Sequence, residues 1–298
     1  MKKIFFALLS VITFLTSCEE DIDLNIGNSE PKIVIEGEIE NGKFAQVMVT
    51  RNSPLTQAVN FSNILVTNAQ VYVSNGVITD TLIFDTIFNA SNPFCYVGNS
   101  VIGIPGQTYF LTVIADGKTY TATTTIPAPI ALDSVWWQPQ PPKDSLGFAW
   151  ATLNDPTGVG NGYRWQVKRP MKFVMFEGNP LILDRRYIAP SGATFDDKFI
   201  DGKTFDFAYF RPTDPTEAAY YKEEPEEERG YYKYGDTIYI RFCTLDKASQ
   251  DFYKTYEAAM SSNGNPFASP VTILSNIQGG GLGVWAGMGS SYDTIYAQ

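Results

Sequence analysis

The candidate catalytic or metal-binding residues are three acids that lie close together in the second half of the sequence: Asp196, Asp197 and Asp201. Glycosidases use a pair of carboxyl groups, and calcium ions accept carboxylate oxygens as ligands. No full loop of ligands at calcium spacing is visible, and Asp201 followed by Gly202 is typical of a tight turn. We therefore predict no catalytic residue, no metal and no other cofactor. A carboxylate-dependent hydrolase and a calcium site are the alternatives.

Histidine is absent from all 298 residues, which narrows the possible chemistry further. Nucleophiles that need a histidine base are excluded, and so are metal sites built on imidazole ligands. Cys95 and Cys243 are not at zinc-ligand spacing, and two thiols do not complete a structural zinc site. In an exported protein they could form a disulfide. We predict instead that both thiols are free and buried, because free cysteine packs as a small apolar residue.

The N-terminus has the pattern of an export signal. Lys2 and Lys3 precede an apolar stretch at residues 4–15, and two small polar residues then lead to Cys18. This pattern is typical of a secretory signal peptide, and the apolar stretch is shorter than the roughly 20 residues of a membrane span. The sequence predicts a signal peptide at residues 1–17. Cys18 is predicted to receive lipid, palmitate included, and to become the first mature residue.

Residues 18–30 are predicted to form an acidic tether behind the lipidated cysteine. Four acids follow Cys18 within five residues, a pattern that resembles the export signal of surface lipoproteins in Bacteroidota-type bacteria. We therefore expect a protein of the outer membrane that is lipid-anchored and exposed on the cell surface. The net charge of −10 and the lack of basic clusters argue against nucleic acid as a partner.

Short strands separated by turn residues predict a β-sandwich at residues 31–128. The hairpin turns are expected at Asn41-Gly42, Asn75-Gly76 and Asp116-Gly117. Between such turns apolar residues alternate, so that Tyr109, Leu111 and Val113 are predicted to face one side of a strand. No helical periodicity precedes Pro127. The expected first domain is therefore immunoglobulin-like or transthyretin-like.

A proline-rich stretch begins at Pro127, and residues 129–298 are predicted to form a second, β-rich domain. One helix is expected there, at residues 247–262, because apolar residues recur on a single helical face. These residues are Phe252, Tyr256, Ala259 and Met260. The glycines at residues 279–283 predict a bend where the last strand packs close to another backbone. The predicted fold is all-β, with two β-sandwich-like domains and one late helix.

Aromatic side chains outside the regular alternation are the candidate partner contacts. Trp136 and Trp137 are adjacent in the boundary region. Because neighbouring strand residues point to opposite faces, we expect either that both are buried between the domains or that one indole is exposed. A second group flanks a run of glutamates in the loop at residues 213–234. It consists of Tyr220, Tyr221, Tyr231 and Tyr232.

Two interpretations of this loop remain open. Self-repulsion among its acids, together with Pro212 just before it and Pro215 and Pro225 within it, argues against a packed helix or strand through its centre. This favours a solvated, mobile loop. Alternatively the loop contacts a partner, because tyrosine offers a large contact area at low entropy cost. Deletion of residues 223–228 is expected to leave the fold intact and, if the loop contacts a partner, to weaken association most at low salt.

Several short motifs occur in order along the chain. They are Ser29-Glu30-Pro31-Lys32-Ile33, Gly106-Gln107-Thr108-Tyr109, Gly117-Lys118-Thr119-Tyr120, Phe195-Asp196-Asp197, Asn265-Pro266-Phe267 and Gly280-Gly281-Leu282-Gly283-Val284. Together they resemble a Bacteroidota lipoprotein family, domain of unknown function 4249, over nearly the whole mature chain. The resemblance implies a non-enzymatic outer-membrane lipoprotein that acts with a TonB-dependent outer-membrane transporter, in nutrient uptake or surface assembly. The alternative is a surface adhesin or glycan-binding module without a transporter partner.

Overall fold

β-Strands dominate the computed structural model, which describes residues 30–53, 61–85, 94–262, 265 and 267–298. The strands of the first half are β1 Ile33–Glu40, β2 Phe44–Arg51, β3 Gln70–Ser74, β4 Thr79–Phe84, β5 Tyr96–Ile102, β6 Thr108–Ala115 and β7 Lys118–Thr125. Those of the second half are β8 Ser134–Gln140, β9 Lys143–Asn154, β10 Gly162–Lys168, β11 Lys172–Phe176, β12 Asn179–Leu183, β13 Thr194–Asp196, β14 Thr204–Tyr209, β15 Tyr232–Lys233, β16 Thr237–Leu245 and β17 Leu282–Tyr296. The α-helices are α1 Phe61–Ile64, α2 Ala218–Tyr221 and α3 Lys247–Ser262.

These elements confirm the all-β prediction with one long helix late in the chain. Helix α3 has the predicted limits. The predicted signal peptide and nearly all of the predicted tether lie outside the described residues. Among the residues that are described, no helix is both long enough and apolar enough to cross a membrane.

The first core forms as the alternation predicts. Tyr109, Leu111 and Val113 of β6 are all buried in it. The turn between β6 and β7 has positive φ at both central residues, +50° at Asp116 and +72° at Gly117, which suits the right-handed twist of the hairpin. The core lies inside a strongly curved part of the main sheet, since the Gly287 amide of β17 donates to the Thr124 hydroxyl of β7 at 2.7 Å.

The last strand joins the two halves of the chain. β17 pairs in parallel with β1, from Val34↔Leu282 onward, and antiparallel with β16. The result is one eleven-stranded sheet in the order β13-β10-β16-β17-β1-β2-β5-β4-β3-β6-β7. Trp285 of β17 is fully buried in the first core, where its Nε1–H donates to the Tyr109 carbonyl at 3.1 Å. The domain limits 31–128 and 129–298 stay a prediction, but a strand from the C-terminal segment completes the N-terminal core.

A close backbone approach explains the glycine cluster before and within β17. Gly283 has φ +106°, and a Cβ atom there would lie 2.0 Å from the Ile35 carbonyl oxygen. A side chain therefore has neither the conformation nor the space it needs at this position. The predicted bend against another backbone is confirmed.

The second core lies between the β10–β16 part of the main sheet and a separate sheet of β14, β9 and β15, to which β8 adds. Helix α3 covers the opposite side of β16 and β17, where Phe252 belongs to the same buried apolar cluster as Val284 and Met288. Asp246 caps this helix through the Ser249 amide and also accepts from the Thr124 hydroxyl, which ties α3 to β7.

Candidate functional site

A cleft lies between the β11–β12 hairpin and the loop at residues 213–234, which we call the acidic loop. It has a volume of about 440 Å³. Lys172 and Leu183 line it from the hairpin, and Tyr220, Glu223 and Glu228 line it from the acidic loop. A second, smaller cavity of about 20 Å³, the size of one water molecule, adjoins it and shares Arg169 and Tyr221.

Short helical turns give the acidic loop a defined conformation. Asp214 caps the first 3₁₀ turn, Pro215–Glu217, by accepting from the Thr216 amide at 2.8 Å. Helix α2 follows, and a second 3₁₀ turn spans Glu226–Glu228. Residues 222–227 are exposed apart from the half-buried Glu224, in agreement with the expectation that no packed helix or strand runs through the centre of this loop. The prolines sit at the starts of turns, where a missing amide hydrogen costs nothing.

Ion pairs within the loop offset the repulsion between its glutamates. Arg211 is almost fully buried, pairs with Glu224 and donates from Nε to the Tyr231 carbonyl at 2.7 Å. Lys233 contacts both Glu224, at 3.6 Å, and Glu228. Since Glu224 neutralises a buried guanidinium, removing residues 223–228 would leave that charge unpaired. We therefore expect this deletion to destabilise the fold, contrary to the expectation from the sequence.

Arg169 fastens the acidic loop to the rest of the cleft. Its guanidinium donates to the Tyr221 hydroxyl at 2.7 Å and pairs with Asp184 at 3.2 Å and Asp236 at 3.6 Å. Burial lowers the pKa of Arg169, but the charges of Asp184, Tyr221 and Asp236 outweigh burial and raise its pKa overall. Arg186 adds a further link, because it pairs with Asp214 at 2.9 Å. The hairpin, the loop and the start of β16 are thus held as one surface.

Glu217 is a buried carboxyl group in the wall of the smaller cavity. Burial raises its pKa to about 7, and the neighbouring charges of Asp184 and Asp214 act in the same direction. Arg186 opposes them only partly. Near neutral pH this group exchanges its proton, so the charge inside the site changes in the physiological range.

The structure places the predicted tyrosine contacts in two groups. Tyr221 and Tyr232 are buried, so the prediction that they touch a partner directly is corrected: they support the cleft from inside. Tyr220 and Tyr231 are half-buried. Tyr220 packs edge-on against Phe176 of the hairpin, and Tyr231 stacks on Phe148 with ring centroids 5.1 Å apart.

The two tryptophans do not lie between the halves of the chain. Trp137 is buried in the second core, and the adjacent Trp136 is half-buried and stacks on Trp150 across the β8–β9 pair. Opposite faces for adjacent strand residues were predicted, and the burial difference follows from them. Only part of the Trp136 side chain is therefore accessible to a partner.

Sequence reasoning missed the outer face of the hairpin. One wall of the cleft is the inner face of β11 and β12, and the opposite face presents Met171, Phe173 and Met175 to solvent, with Phe173 78% exposed. The sequence shows that Met171, Phe173 and Met175 are spaced two residues apart, with Lys172 and Val174 between them. These side chains could not be assigned to solvent, because alternation does not say which face of a strand is covered.

The predicted carboxylate group is only partly correct. Asp197 and Asp201 meet Asp155, with one carboxylate oxygen from each within 4.8 Å of the others. Asp196 instead points away and pairs with Lys254 at 2.6 Å. Backbone amides already bind all three clustered carboxylates: Gly160 and Asn161 donate to Asp197, Gly158 to Asp201 and Gly202 to Asp155. The cluster fixes the loop between β9 and β10, in agreement with the turn interpretation.

The thiols match the sequence prediction, since Cys95 and Cys243 are free and buried. Burial raises the pKa of Cys95 to about 12. Burial also raises the pKa of Cys243, although the charge of Arg241 opposes it. Both groups are therefore neutral and poorly nucleophilic at physiological pH.

Fold and site together define an all-β protein with one long helix and a cleft made of an ion-paired loop and a hairpin. Within this class the sequence matches, over residues 19–292, the model of the family described as domain of unknown function (DUF4249), and the chain belongs to that family. No curated protein matches the sequence.

Proposed function

We propose that the protein is a non-enzymatic, lipid-anchored outer-membrane lipoprotein that binds a TonB-dependent outer-membrane protein through the surface around the cleft. The pattern at Cys18 supports the anchor and the export route. The missing histidine and the amide-bound carboxylates of the Asp155 cluster support a binding function over a catalytic one. The transporter partner itself comes from the family resemblance, and the fold alone does not assign it.

One observation supports the location of the contact. Arg169 and Arg211 hold the acidic loop in place, while Glu223, Glu226 and Glu227 at its surface remain exposed. A surface that is already ordered loses little conformational entropy when a partner binds. Exposed acids beside it steer a basic partner and reject an acidic one.

The outer face of the hairpin, which points away from the cleft, supplies the apolar part of the proposed interface. Phe173 and Met175 are exposed side by side along β11, and Met171 extends the row. Large apolar side chains surrounded by charged ones are typical of the centre and rim of a protein interface. The proposed interface therefore combines the outer hairpin face with the exposed glutamates of the acidic loop.

Affinity purification from detergent-solubilised membranes tests the proposal. The wild type is expected to co-purify an outer-membrane transporter, and the double variant Phe173→Ser/Met175→Ser is expected to lose it. The matched control is Val77→Ser/Ile78→Ser, which removes two exposed apolar side chains from the β3–β4 turn and should retain the partner. Equal recovery by both variants, or no transporter with the wild type, would contradict the proposal. Recovery of a glycan ligand without a transporter would favour the adhesin alternative.

A further inference from the structure

A second exposed apolar surface lies at the end of helix α3, far along the chain from the hairpin. Its residues have large apolar side chains that are exposed to solvent; the exposed fraction is 95% for Phe267, 53% for Met260 and 51% for Leu274. They are Tyr256, Met260, Phe267, Val271, Ile273, Leu274 and Leu282. We call this surface the end patch. The sheet covers the apolar face of α3 only along the first turns of the helix. The apolar side chains of the last turns are exposed and contribute to the patch.

Hydrogen bonds fix the segment that bears the end patch. The Leu274 amide donates to the Thr255 hydroxyl of α3 at 3.0 Å, and the Ser275 hydroxyl donates to the Gly283 carbonyl of β17 at 2.7 Å. Asn276 pairs its side chain with both backbone groups of Trp285. The apolar side chains are therefore presented by an anchored segment between α3 and β17.

The end patch lies where the chain enters the fold. β1 and β17 are parallel, so their first residues share one edge of the sheet, and Val34 pairs with Leu282. The N-terminal segment reaches this edge at Glu30, three residues before β1. The stretch between Cys18 and Glu30 spans at most about 45 Å even when fully extended. A lipid attached to Cys18 can therefore lie no farther than about 45 Å from this edge of the sheet.

Charge is missing from this part of the chain. No Asp, Glu, Lys or Arg occurs between Glu257 and Asp293, although charged residues make up 18% of the whole sequence. An exposed apolar surface built largely from an uncharged stretch is unusual for a protein that meets only water. It suits a lipid surface, because the side chains of this stretch carry no charge that would have to lose its hydration in the headgroup boundary.

We propose that the end patch rests on the bilayer to which Cys18 is anchored, so that the cleft points away from that membrane leaflet. This inference rests on the proposed lipid anchor. The anchor keeps the patch close to the bilayer, and the apolar side chains then add a second, weaker attachment that sets orientation. A single acyl chain alone binds only reversibly, and such a second contact also lengthens residence at the membrane.

Fluorescence quenching in vesicles tests this orientation. The lipidated full-length mature protein is purified with the substitution Ile273→Cys, labelled with a fluorophore, and placed in phosphatidylcholine vesicles whose acyl chains carry bromine. Cys95 and Cys243 do not interfere, because both are buried. If the patch enters the headgroup boundary, quenching of this label should exceed that of a solvent-facing control by at least about twofold.

Val77→Cys is the matched control. Val77 lies in the β3–β4 turn and is 89% exposed. This turn is beside the start of β6, because Ser74 at the end of β3 pairs with Phe110 near the start of β6. The other end of β6 lies beside the start of β1, because Asp116 pairs with Arg51 at 2.6 Å and Arg51 pairs with Ile33 in the sheet. The two labels therefore report opposite ends of the first core.

Each outcome decides a different point. Strong quenching at residue 273 alone supports the inference, and a Leu274→Asp substitution should then abolish it without releasing the protein from the vesicles. Equal quenching of both labels in protein that floats with the vesicles overturns the inference and leaves the anchor intact. Failure of the purified protein to carry lipid or to float overturns the proposed anchor as well. Shielding of residue 273 in native membranes but not in protein-free vesicles would assign the patch to a protein partner and overturn the bilayer contact.

Discussion

Arg211 and Glu224 form an ion pair at the base of the acidic loop, with the arginine side chain only 4% exposed and the glutamate 12%. The pair joins a residue that precedes the loop to the middle of the glutamate run, and Tyr231 at the end of the loop accepts a further hydrogen bond from the same guanidinium. The buried charge of Arg211 thus helps to organise a segment whose composition is typical of disorder.

Glu224→Ala should destabilise the protein, because the substitution leaves the Arg211 guanidinium buried without its partner. We expect a loss of about 3 kcal/mol in the free energy of unfolding, measured with urea. Glu226→Ala removes an exposed glutamate from the same run and should change stability by less than about 0.5 kcal/mol. Equal stability of the two variants would show that the pair is not structural.

Glu217 should make stability fall as pH rises. Its pKa is raised from 4.5 to about 7, so the folded protein holds a proton that the unfolded chain has lost between these values. The loss of stability that comes from ionising Glu217 in the folded protein is absent below about pH 4.5 and grows between pH 4.5 and pH 7. Above pH 7 it is complete, at no more than about 3 kcal/mol. Glu217→Gln should therefore be more stable than the wild type at pH 8 and similar at pH 4.5, as urea unfolding at both pH values can show. A constant difference between the two proteins would refute the raised pKa.

Gly283→Ala tests the close approach between β17 and β1. The substitution brings a Cβ atom against the Ile35 carbonyl in a conformation with positive φ. We expect a loss of more than about 3 kcal/mol, since a steric clash adds to backbone strain. Gly106→Ala shares a positive φ but has open space around it, so it should cost only about 1 kcal/mol. Thermal unfolding of both variants measures the difference.

A fragment of residues 31–128 should not fold alone. Trp285 fills part of its core, and β1 would lose the parallel partner that β17 supplies. We expect poor dispersion in the amide proton spectrum of this fragment, whereas residues 31–298 should give a dispersed spectrum. A well-dispersed spectrum from the shorter fragment would show that the predicted first domain is autonomous.

Thiol reactivity should follow burial. In the native protein Cys95 and Cys243 should resist a thiol-specific reagent, because both are buried and the raised pKa of Cys95 keeps it protonated. After denaturation without reductant both should react. Recovery of a linked Cys95–Cys243 peptide by non-reducing mapping would contradict the prediction.

Much of the fold was visible in the sequence because it depends on neighbours within a few residues. The turn at Asp116-Gly117 needs only two residues that tolerate positive φ. Alternation in β6 and the apolar face of α3 arise from the 2.0 and 3.6 residue periods of strand and helix. The same local rules led to the turn interpretation of Asp201-Gly202, where φ at Gly202 is +65°.

Most of the parts that sequence reasoning missed join residues beyond the reach of local periodicity. Asp155 replaces Asp196 in the carboxylate cluster, Arg211 reaches Glu224, and Trp285 enters a core formed by strands that precede it by more than 150 residues. Local periodicity says that a strand or an acid is present, but its partner is decided by loop closure and packing of the whole chain. Residues 1–29 by themselves lead to the prediction of a lipid anchor. Only tertiary structure decides which apolar side chains lie beside the start of β1, because that depends on the parallel pairing of β1 with β17.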